Sequence, residues 1–583
     1  MLQPITDIAE LSARLGIRHF VLSPGSRCAP LTLAVARHPQ LQTRVVPDER
    51  AAAFIALGMA QTLGETVGLI CTSGTAAYNY APAVAEAFYQ QIPLLVLTAD
   101  RPPEWIDQQD GQTLRQQQLY GPHVKGSYQL PDTYEHPDLV WHLYRLVNEA
   151  ISLTQTGPKG PVHINIPLRE PFYPSPDAVW QYSQDLKVVE RWQAEAQLSD
   201  PQWEQLVLEW QQYGRKLIVA GQCEPSTPLL EALEHSSLQQ QLPVVADIIT
   251  NLHGLKGRIS QQDYFLMQTG APGKRTGLQE ALQPELLITF GRSVISKNLK
   301  LYLRKHPPRA HWHLQAQGPV ADTFQSLTRI VPVAPLHFFQ ELNKRLPQTI
   351  EQDSTQKTYY THWQEQQSLA EGVATAFFEQ SPAGESWGEF AALRRCLQSL
   401  PEGTQLHLAN SMSVRYANFA GLSQDQKGVQ VWANRGTSGI DGSSSTAVGC
   451  AVVSKGLTVL ITGDMAFLYD RNSLWHTFLP ANLRILVLNN GGGGIFRMIE
   501  GPRRQPELEE FFVTHQPFSA RASALDAGMQ YAACHSREEF ERELPRFLAP
   551  NGGAKVLEVF SNSEASTELF GRFKKAILSQ GSA

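Results

Sequence analysis

The sequence predicts an α/β protein made of three doubly wound parallel-sheet domains, and three observations lead to this expectation. Its 583 residues exceed what one hydrophobic core supports, because domains usually hold roughly 100 to 200 residues. Short β-branched or apolar runs alternate with longer helical patterns, as in parallel strands joined by crossover helices. The hydrophobic fraction of 42% and the charged fraction of 18% are those of an ordinary globular protein.

The alternation of strands and helices falls into three series. Residues 1–190 contain the strand candidates HFVLS, RVVPDE, TVGLICTSG, IPLLVLTADR and GPVHINIP. Residues 191–350 contain KLIVAGQ, LPVVADI, ELLITFGR and AHWHLQ, and residues 386–583 contain TQLHLANS, GVQVWANR, LTVLITGDM, LRILVLNN and KVLEVF. The polar stretch 351–385 has few strand signals and predicts a linker combined with a helix. The first and third series share one further feature, a Ser- and Arg-bearing turn after an early strand, SPGSR and ANSMSVR.

Composition narrows the possible partners and locations. The formal net charge of −6 gives no basic field for nucleic acid, so we expect no nucleic-acid partner. Six scattered cysteines without CxxC spacing suggest neither a zinc site nor a disulfide framework, and a reducing compartment is the simplest setting. No stretch approaches the roughly 18 to 20 apolar residues of a membrane span, and no secretory signal is recognisable. We expect a cytoplasmic protein without a membrane span.

The third series carries the strongest chemical signal. One strand ends at Gly463 and Asp464, and the next ends at Asn490 before further glycines. Asp464 and Asn490 are 26 residues apart with a helix between them, so both should reach the carboxyl edge of adjacent parallel strands, where open α/β sheets bind ligands. Carboxylate, amide and carbonyl oxygens suit Mg²⁺, and glycines let the backbone approach a diphosphate. The sequence therefore predicts a shared cation site.

A Gly-Asp pair and an Asn-Asn pair at this spacing resemble the fingerprint of thiamine-diphosphate-dependent enzymes. The blocks SPGSR, DER, TSGTA, TADRPPE, NSMSVR, NRGTSGIDG, GDMAFLYD and NNGGGGIF follow one another from residue 23 to 496. Together they are similar to one branch, the 2-succinyl-5-enolpyruvyl-6-hydroxy-3-cyclohexene-1-carboxylate synthase family of menaquinone and phylloquinone biosynthesis. The resemblance implies a pyrimidine-binding, a middle and a diphosphate-binding domain, with thiamine diphosphate and Mg²⁺, or Mn²⁺, as cofactors.

The resemblance also implies an activity and an assembly. The activity is that of a transferase that decarboxylates 2-oxoglutarate and adds the succinyl carbanion to isochorismate in a 1,4 sense. The products would be 2-succinyl-5-enolpyruvyl-6-hydroxy-3-cyclohexene-1-carboxylate and carbon dioxide. The assembly is a homodimer, or a homotetramer formed as a dimer of dimers. Each active site would lie at a dimer interface, because the pyrimidine domain of one subunit faces the diphosphate domain of another.

On this resemblance, specific residues would hold the cofactor. Asp464 and Asn490 would bind the metal through their side chains and Gly492 through its carbonyl oxygen. Glu49 would be the carboxylate against the aminopyrimidine, although a glutamate at a helix start is by itself only an ordinary first-turn residue. The remaining cofactor-binding candidates are Thr72, Ser73, Gly74, Ser411, Met412, Ile440, Gly463 and Met465.

Two dianionic substrates require fixed guanidinium groups, because planar forks hold carboxylates at two points. The substrate-binding candidates in matching blocks are Ser26, Arg27, Arg101, Gln112, Arg415 and Arg435. Those assigned a catalytic role are Glu49, Arg27, Arg101, Gln112 and Arg415. Ile495, Phe496 and Ile499 would form an apolar wall over the thiazolium, where exclusion of water protects a carbanion; plain helix packing is the alternative.

One segment departs from the family pattern. The motif GRSVISKNLK has Lys297 and Asn298 where the family has a Lys-Arg pair, so no substrate-binding arginine is carried onto Asn298, and Lys297 is a candidate only.

Three alternatives to the predicted activity remain open. One is an acetolactate-synthase-like carboligase acting on pyruvate, and another is a non-catalytic binding protein of the same fold. The third is a nicotinamide oxidoreductase, but GGGGIF lacks GxGxxG order. The chain has no adjacent His-His pair, which argues against the pyruvate-decarboxylase-like branch.

Overall fold

A computed structural model describes residues 3–175, 180–268, 276–346, 354–380 and 387–580 of the chain. Within these residues, 18 strands form three six-stranded sheets, and every strand pairing is parallel. The α/β fold class with three parallel sheets is therefore confirmed.

The first sheet has the strand order β2-β1-β3-β4-β6-β5. Its strands are β1 (His19–Leu22), β2 (Gln42–Val45), β3 (Val67–Cys71), β4 (Leu94–Asp100), β5 (Ser127–Gln129) and β6 (Val162–Pro167). The helices of this region are α1 (Gln3–Arg14), α2 (Ala29–Ala36), α3 (Glu49–Leu63), α4 (Thr75–Asn79), α5 (Ala81–Gln90) and α6 (Pro137–Gln155). Alternate residues of β3 and β4 belong to hydrophobic clusters on opposite faces, so this sheet is covered on both sides.

The second sheet has the order β12-β11-β10-β7-β8-β9. Its strands are β7 (Lys216–Ala220), β8 (Val244–Ala246), β9 (Arg258–Ile259), β10 (Leu286–Phe290), β11 (Ala310–Leu314) and β12 (Arg329–Val331). The helices here are α7 (Asp200–Gln211), α8 (Thr227–Gln240), α9 (Gln262–Gln268), α10 (Thr276–Ala281), α11 (Lys297–Lys305) and α12 (Pro335–Arg345). The long helix α13 (Ser354–Gln380) follows, within the stretch for which a linker and a helix were expected.

The third sheet has the order β14-β13-β15-β16-β18-β17. Its strands are β13 (Gln405–Leu408), β14 (Gln430–Trp432), β15 (Thr458–Gly463), β16 (Leu483–Asn489), β17 (Gln530–Cys534) and β18 (Lys555–Phe560). The helices are α14 (Glu389–Gln398), α15 (Met412–Ala420), α16 (Ser443–Val453), α17 (Asp464–Tyr469), α18 (Ile495–Met498), α19 (Glu500–Arg503), α20 (Arg521–Asp526), α21 (Arg537–Leu548) and α22 (Ser563–Gln580). The domain boundaries at 190, 350 and 386 stay a prediction.

The first and third sheets have the same connectivity. Counted from the first strand of each, both follow the order 2-1-3-4-6-5, whereas the second sheet follows 6-5-4-1-2-3. The SPGSR turn follows β1 and the ANSMSVR turn follows β13, so the two motifs occupy equivalent places. The likeness of layout between these two series is thus one of topology.

Helices α3 and α16 hold the first and third sheets together. A Cβ at Gly58 would lie 2.0 Å from the carbonyl oxygen of Thr446, and a Cβ at Gly449 would lie 2.0 Å from that of Ile55. Each helix therefore needs a glycine where the other helix's backbone touches it. One hydrophobic cluster combines residues of both helices and both sheets. Among the described helices, none is long and apolar enough to cross a membrane.

Candidate functional site

A cavity of about 190 Å³ lies at the carboxyl ends of β13, β15 and β16 in the third sheet. Its lining includes most of the residues predicted for the diphosphate and the metal. These are Ser411, Met412, Ile440, Gly463, Asp464, Met465, Asn490, Gly492, Ile495 and Phe496. All strands of a parallel sheet have their carboxyl ends at the same edge. Residues up to 85 positions apart in the sequence therefore meet here.

Asp464 lies at the base of this cavity as the first residue of α17. Its side chain is 3% exposed, and the amide Nε2 of Gln516 donates to its Oδ2 at 2.6 Å. Burial raises the pKa of Asp464 to about 6. An additional charged or polar ligand that satisfied this carboxylate would offset the cost of burying it.

Asn490 and Gly492 lie beside Asp464. The amide oxygen Oδ1 of Asn490 accepts from the backbone N–H of Gly492 at 3.1 Å. Gly492 has φ of 156°, and a Cβ there would lie 2.7 Å from the carbonyl oxygen of Val513. A side chain at this position would therefore collide with the segment that carries Val513, so the backbone here needs glycine.

Glu389, which the sequence reasoning missed, lines the same cavity. It begins α14, is 4% exposed, and its Oε1 accepts from Nδ2 of Asn490 at 3.0 Å. Its pKa is raised to about 8, chiefly by burial and in smaller part by the nearby Asp464 carboxylate. The available signal was an acidic residue at the start of an amphipathic helix, and that pattern is too common to indicate a site.

The oxygen donors at this edge fit a divalent cation. Within the described ranges, neither Asp464 nor Glu389 forms an ion pair with a lysine or arginine. Two buried carboxyl groups without a cationic partner are costly, and a bound cation would hold them ionised. The carboxylate of Asp464, the amide oxygen of Asn490 and the carbonyl oxygen of Gly492 are hard donors of the kind that Mg²⁺ or Mn²⁺ prefers.

The opposite side of this cavity is apolar. Ile440, Ile495 and Phe496 line it as expected, and Phe512 joins them without having been predicted. Ile499 is 44% exposed and is not among the lining residues, so its predicted place in the wall is not supported by this arrangement. The reason is local, because α18 ends at Met498 and Ile499 begins a new direction of the chain.

Glu49 lies at the edge of the first sheet, as the first residue of α3. The carboxylate of Asp48 caps this helix by accepting from the N–H of Ala51 at 3.0 Å, which fixes where the helix begins. Glu49 is half-buried, and the amide of Asn79 donates to its Oε2 at 3.3 Å. Its other oxygen is therefore left for a ligand outside these contacts.

The loops after β1 and β3 pack closely beside α3. A Cβ at Gly25 would lie 2.3 Å from Cβ of Thr72, and a Cβ at Gly74 would lie 3.2 Å from Cα of Gln112. The hydroxyls of Thr72 and Ser73 are buried without a partner in the described structure. Ser26 is exposed and its hydroxyl lies 3.3 Å from that of Tyr173. The predicted residues Ser26, Thr72, Ser73, Gly74 and Gln112 thus form one cluster of loops.

A buried polar network beneath these loops was not predicted. Gln116, 1% exposed, accepts from the N–H of Gly74 at 2.8 Å and donates to the carbonyl of Ala99 at 3.0 Å. Asn165 donates to Asp100 Oδ2 at 2.7 Å and accepts from Gln116 at 2.9 Å. These bonds tie the ends of β3, β4 and β6 together.

The four predicted arginines form two pairs. Arg27 is buried and donates to the carbonyl of Leu168 at 2.7 Å, and Arg101 forms an ion pair with Asp110 at 2.8 Å. Burial lowers the pKa of Arg27, and the charge of Arg101 lowers it further, so the two cations lie near each other. This first pair belongs to the edge of the first sheet.

Arg415 and Arg435 form the second pair, at the edge of the third sheet. Nη1 of Arg435 donates to Oδ1 of Asn410 at 2.9 Å, and Arg415 donates to the carbonyl of Ser411. Asn410 and Ser411 both line the cavity that holds Asp464. Burial lowers the pKa of Arg435, and the Arg415 charge adds to this effect.

The departure at Asn298 has a structural explanation. Nδ2 of Asn298 donates to Oδ1 of Asp263 at 3.0 Å, which makes the side chain part of a buried network in the second sheet's region. Lys297 is exposed. Neither residue lines the cavity at the third sheet.

The two groups of predicted residues are separate within one chain. Among the described residues, the cavity of Asp464 and Asn490 is lined only from the third sheet's region, between 389 and 514. Glu49 and the first arginine pair belong to the other edge. Each edge holds about half of the predicted constellation.

Comparisons with known proteins cover the regions of both the first and the third sheet. Residues 6–119 match the family described as thiamine pyrophosphate enzyme, N-terminal TPP binding domain. The chain is 46% identical over 576 residues to the 2-succinyl-5-enolpyruvyl-6-hydroxy-3-cyclohexene-1-carboxylate synthase of Cytophaga hutchinsonii, covering 99% of both chains. Synthases of the same name from Porphyromonas gingivalis (95% and 94% covered) and Desulfotalea psychrophila (96% and 98% covered) are each 38% identical to it.

Proposed function

This chain belongs to the 2-succinyl-5-enolpyruvyl-6-hydroxy-3-cyclohexene-1-carboxylate synthase family, and we propose that it catalyses the reaction for which that family is named. The chain would act as a transferase that decarboxylates 2-oxoglutarate and joins the remaining succinyl unit to isochorismate in a 1,4-addition. Carbon dioxide is the second product, and the pathway is menaquinone or phylloquinone biosynthesis. The observation that carries the proposal is the convergence of Asp464, Asn490 and Gly492 on one buried cavity, within a chain similar to these synthases over its full length.

Asp464, Asn490 and the carbonyl of Gly492 would hold a divalent cation, Mg²⁺ or Mn²⁺. The diphosphate would lie against Ser411, Met412 and the glycines 492 to 494, which line the same cavity. When bound, thiamine diphosphate supplies the electron sink that permits loss of carbon dioxide from a 2-oxo acid. The metal ligands would fix the diphosphate end, and so determine where the reactive ring lies.

Glu49 would hold a proton at its carboxylate against the aminopyrimidine. It is half-buried at a helix start, with one oxygen accepting from Asn79. Thr72, Ser73 and Gly74 would line the pyrimidine. The buried Thr72 and Ser73 hydroxyls have no partner in the described structure, which is consistent with a ligand at this loop.

The arginine pairs would bind the carboxylates of the two substrates. Arg27 and Arg101 would act from one edge with Ser26 and Gln112 as neutral partners, and Arg415 and Arg435 would act from the other. Two cations close together are costly unless an anion lies between them, because each disfavours the other's charge. Ile440, Ile495 and Phe496 would exclude water from the reacting carbon.

We propose that two copies of the chain complete each site. Among the described residues, only the third sheet's region lines the cavity of Asp464, so we infer that a second copy supplies the first-sheet edge. Large apolar side chains are exposed near both edges: Tyr78, next to the Asn79 that contacts Glu49, and Phe511 and Phe518 near the cavity, each at least 50% exposed. Such patches typically bind another protein surface. The assembly would be a homodimer or a dimer of dimers.

The direct test is product analysis by mass spectrometry with thiamine diphosphate, Mg²⁺, 2-oxoglutarate and isochorismate. We expect the succinyl adduct and one carbon dioxide per turnover. A parallel assay of carbon dioxide release with pyruvate should give little signal. Preferential use of pyruvate would instead indicate an acetolactate-synthase-like enzyme, and cofactor binding without turnover of either acid would indicate a non-catalytic protein.

A further inference from the structure

The loop that joins β14 to α16 carries two of the proposed site residues, Arg435 and Ile440. It has little regular structure of its own, and Ser438 within it has φ of +64°. A loop of this kind does not position a guanidinium group unless other parts of the protein fix its backbone. The contacts of this loop therefore matter for the site.

Glu86, in α5 of the first sheet's region, holds this loop. The side chain is 1% exposed, and its Oε1 accepts from the N–H of Gly436 at 2.8 Å. Its Oε2 accepts from the N–H of Thr437 at 2.6 Å and from the Thr437 hydroxyl at 2.5 Å. Gln90, one turn later in α5, donates to Oε1 at 2.6 Å. Both carboxylate oxygens are thus occupied by donors.

The approach of the loop to α5 is close. A Cβ at Gly436 would lie 2.9 Å from the carbonyl oxygen of Glu86, so only glycine allows this contact. The second sheet's region supports the same loop, because Nε2 of Gln222 donates to the carbonyl of Ala433 at 3.0 Å and to Gln90 at 3.2 Å. The loop is therefore held by buried side chains from both other regions.

In the part of the chain that the structure describes, no lysine or arginine contacts the Glu86 carboxylate. Two adjacent backbone N–H groups instead satisfy its charge, as oriented dipoles satisfy an anion in a nest. At longer range, this charge favours the cationic form of Arg435 and opposes the effect of burial on the Arg435 pKa.

We propose that Glu86 is a positioning residue of the active site. It holds the loop of residues 434–441 so that Arg435 reaches Asn410 and Ile440 reaches the cavity. The inference rests on the proposed function in one respect, the role of Arg435 as a carboxylate ligand. Glu86 acts through the loop and touches neither substrate nor cofactor.

The experiment compares Glu86→Gln with a matched control, Glu285→Gln. Glu285 also accepts from two successive backbone N–H groups, those of Gly214 at 2.6 Å and Arg215 at 3.3 Å, but it lies in the second sheet's region and does not line the cavity of Asp464. Both bonds end on Oε2 of Glu285, so a glutamine can keep them with its amide oxygen. At Glu86 both oxygens accept, so the glutamine NH₂ must replace one acceptor. Only Glu86→Gln should disturb the site.

Two readouts are needed for each variant of the full-length protein. Hydrogen–deuterium exchange, measured without substrates, should be at least about tenfold faster for the amides of 436 and 437 in Glu86→Gln and unchanged there in Glu285→Gln. In steady-state kinetics, Glu86→Gln should raise KM for one anionic substrate at least about tenfold while kcat changes less, a factor worth about 1.4 kcal/mol.

The outcomes are decisive in each case. Unchanged exchange at 436 and 437, or a KM no higher than that of Glu285→Gln, overturns the proposal. If Glu86→Gln does not fold, Thr437→Val removes one of the bonds to Glu86 and should move both readouts in the same direction by a smaller factor. If the wild-type protein does not turn over 2-oxoglutarate and isochorismate, the proposed function fails. Faster exchange in Glu86→Gln would then still support the anchoring of the loop.

Discussion

The carboxyl edges of the first and third sheets are built by the same strand order but present different chemistry. After the first strand of each sheet comes a motif that bears an arginine, Arg27 in the turn before α2 and Arg415 in α15. After the third strand, the first sheet has the neutral loop Thr72 to Gly74, whereas the third sheet has Asp464. Both sheets thus have an arginine after their first strand, but only the third sheet has an acidic residue directly after its third strand.

The difference shows how one topology supports two tasks. In our proposal, the buried Asp464, the amide oxygen of Asn490 and the carbonyl of Gly492 hold a cation at the third sheet. At the first sheet, the half-buried Glu49 follows the second strand and is the carboxylate we propose for proton exchange with the cofactor. Loop residues at equivalent strand ends therefore decide which half of a cofactor each edge could hold.

The largest effect we expect is from Asp464→Ala. Removing the carboxylate takes away the metal ligand that we propose, so the cation and the diphosphate should both lose their anchor. Activity should fall at least about a thousandfold, equivalent to about 4 kcal/mol in the barrier. Isothermal titration should show that Mg²⁺-dependent binding of thiamine diphosphate is lost as well. Wild-type affinity for the cofactor in this variant would show that the third sheet's edge is not the metal site.

Glu49→Gln tests the first sheet's edge, where we expect a loss of activity without a loss of cofactor binding. We expect a loss of activity of about a hundredfold to a thousandfold, typical of an acid–base residue, with cofactor and metal affinity close to wild type. The glutamine keeps the shape and can still accept from Asn79, so the protein should remain folded. If binding were lost together with activity, the two edges would not divide the tasks as described.

Substitutions at Gly58 and Gly449 test whether helices α3 and α16 pack against each other through two equivalent glycine contacts. Gly58→Ala and Gly449→Ala each force a methyl group against a carbonyl oxygen of the other helix, so each should lower the free energy of unfolding by about 3 kcal/mol. Gly571→Ala in α22 is the control, because a Cβ there meets open space. Chemical denaturation should show a neutral or slightly stabilised control. Unchanged stability in both test variants would contradict the close contact of α3 and α16.

The smallest effect is a pH dependence confined to the third sheet's edge. In the cation-free folded protein, burial raises the pKa of Glu389 from 4.5 to about 8. The folded state then binds more protons than the unfolded state, so this contribution to stability is complete below pH 4.5 and is lost as pH rises through about 8. The slope should be at most about 1.4 kcal/mol per pH unit.

Thermal unfolding between pH 6 and 9 checks this dependence. Glu389→Gln should unfold with a weaker dependence on pH than the wild-type protein, and saturating Mg²⁺ with thiamine diphosphate should remove most of the difference. Parallel pH profiles for the variant and the wild type would mean that Glu389 is not the titrating group.

The strand patterns of the sequence predicted most strands of the three sheets but missed four strands at sheet edges. The four strands without a sequence candidate are β5, β9, β12 and β17, and all of them are the outermost strands of their sheets. They span two to five residues, and β5, β12 and β17 are largely exposed or half-buried. An edge strand has one neighbour and carries polar residues, so no apolar run marks it.

The residues of the candidate site also fall into those that the sequence predicted and those that it missed. Residues inside distinctive motifs, such as Asp464, Asn490 and Ile440, converge on the cavity. Glu389, Gln116 and Glu86 were missed because each is a single polar residue in an ordinary helix or loop, and only contacts across the fold show its partners. Ile499, predicted for the apolar wall, lies just after the end of α18 and is not among the residues that line the cavity.

The central claim is that each active site combines the first-sheet edge of one chain with the third-sheet edge of another. Its most direct test is a heterodimer purified with two affinity tags, one chain carrying Glu49→Ala and the other Asp464→Ala. Each variant alone should be inactive. The heterodimer contains one site with both native residues and should recover about half of the wild-type activity. A verified heterodimer without turnover would contradict the shared site. If each site lay within one chain, every site of the heterodimer would carry one of the two substitutions and none could be active.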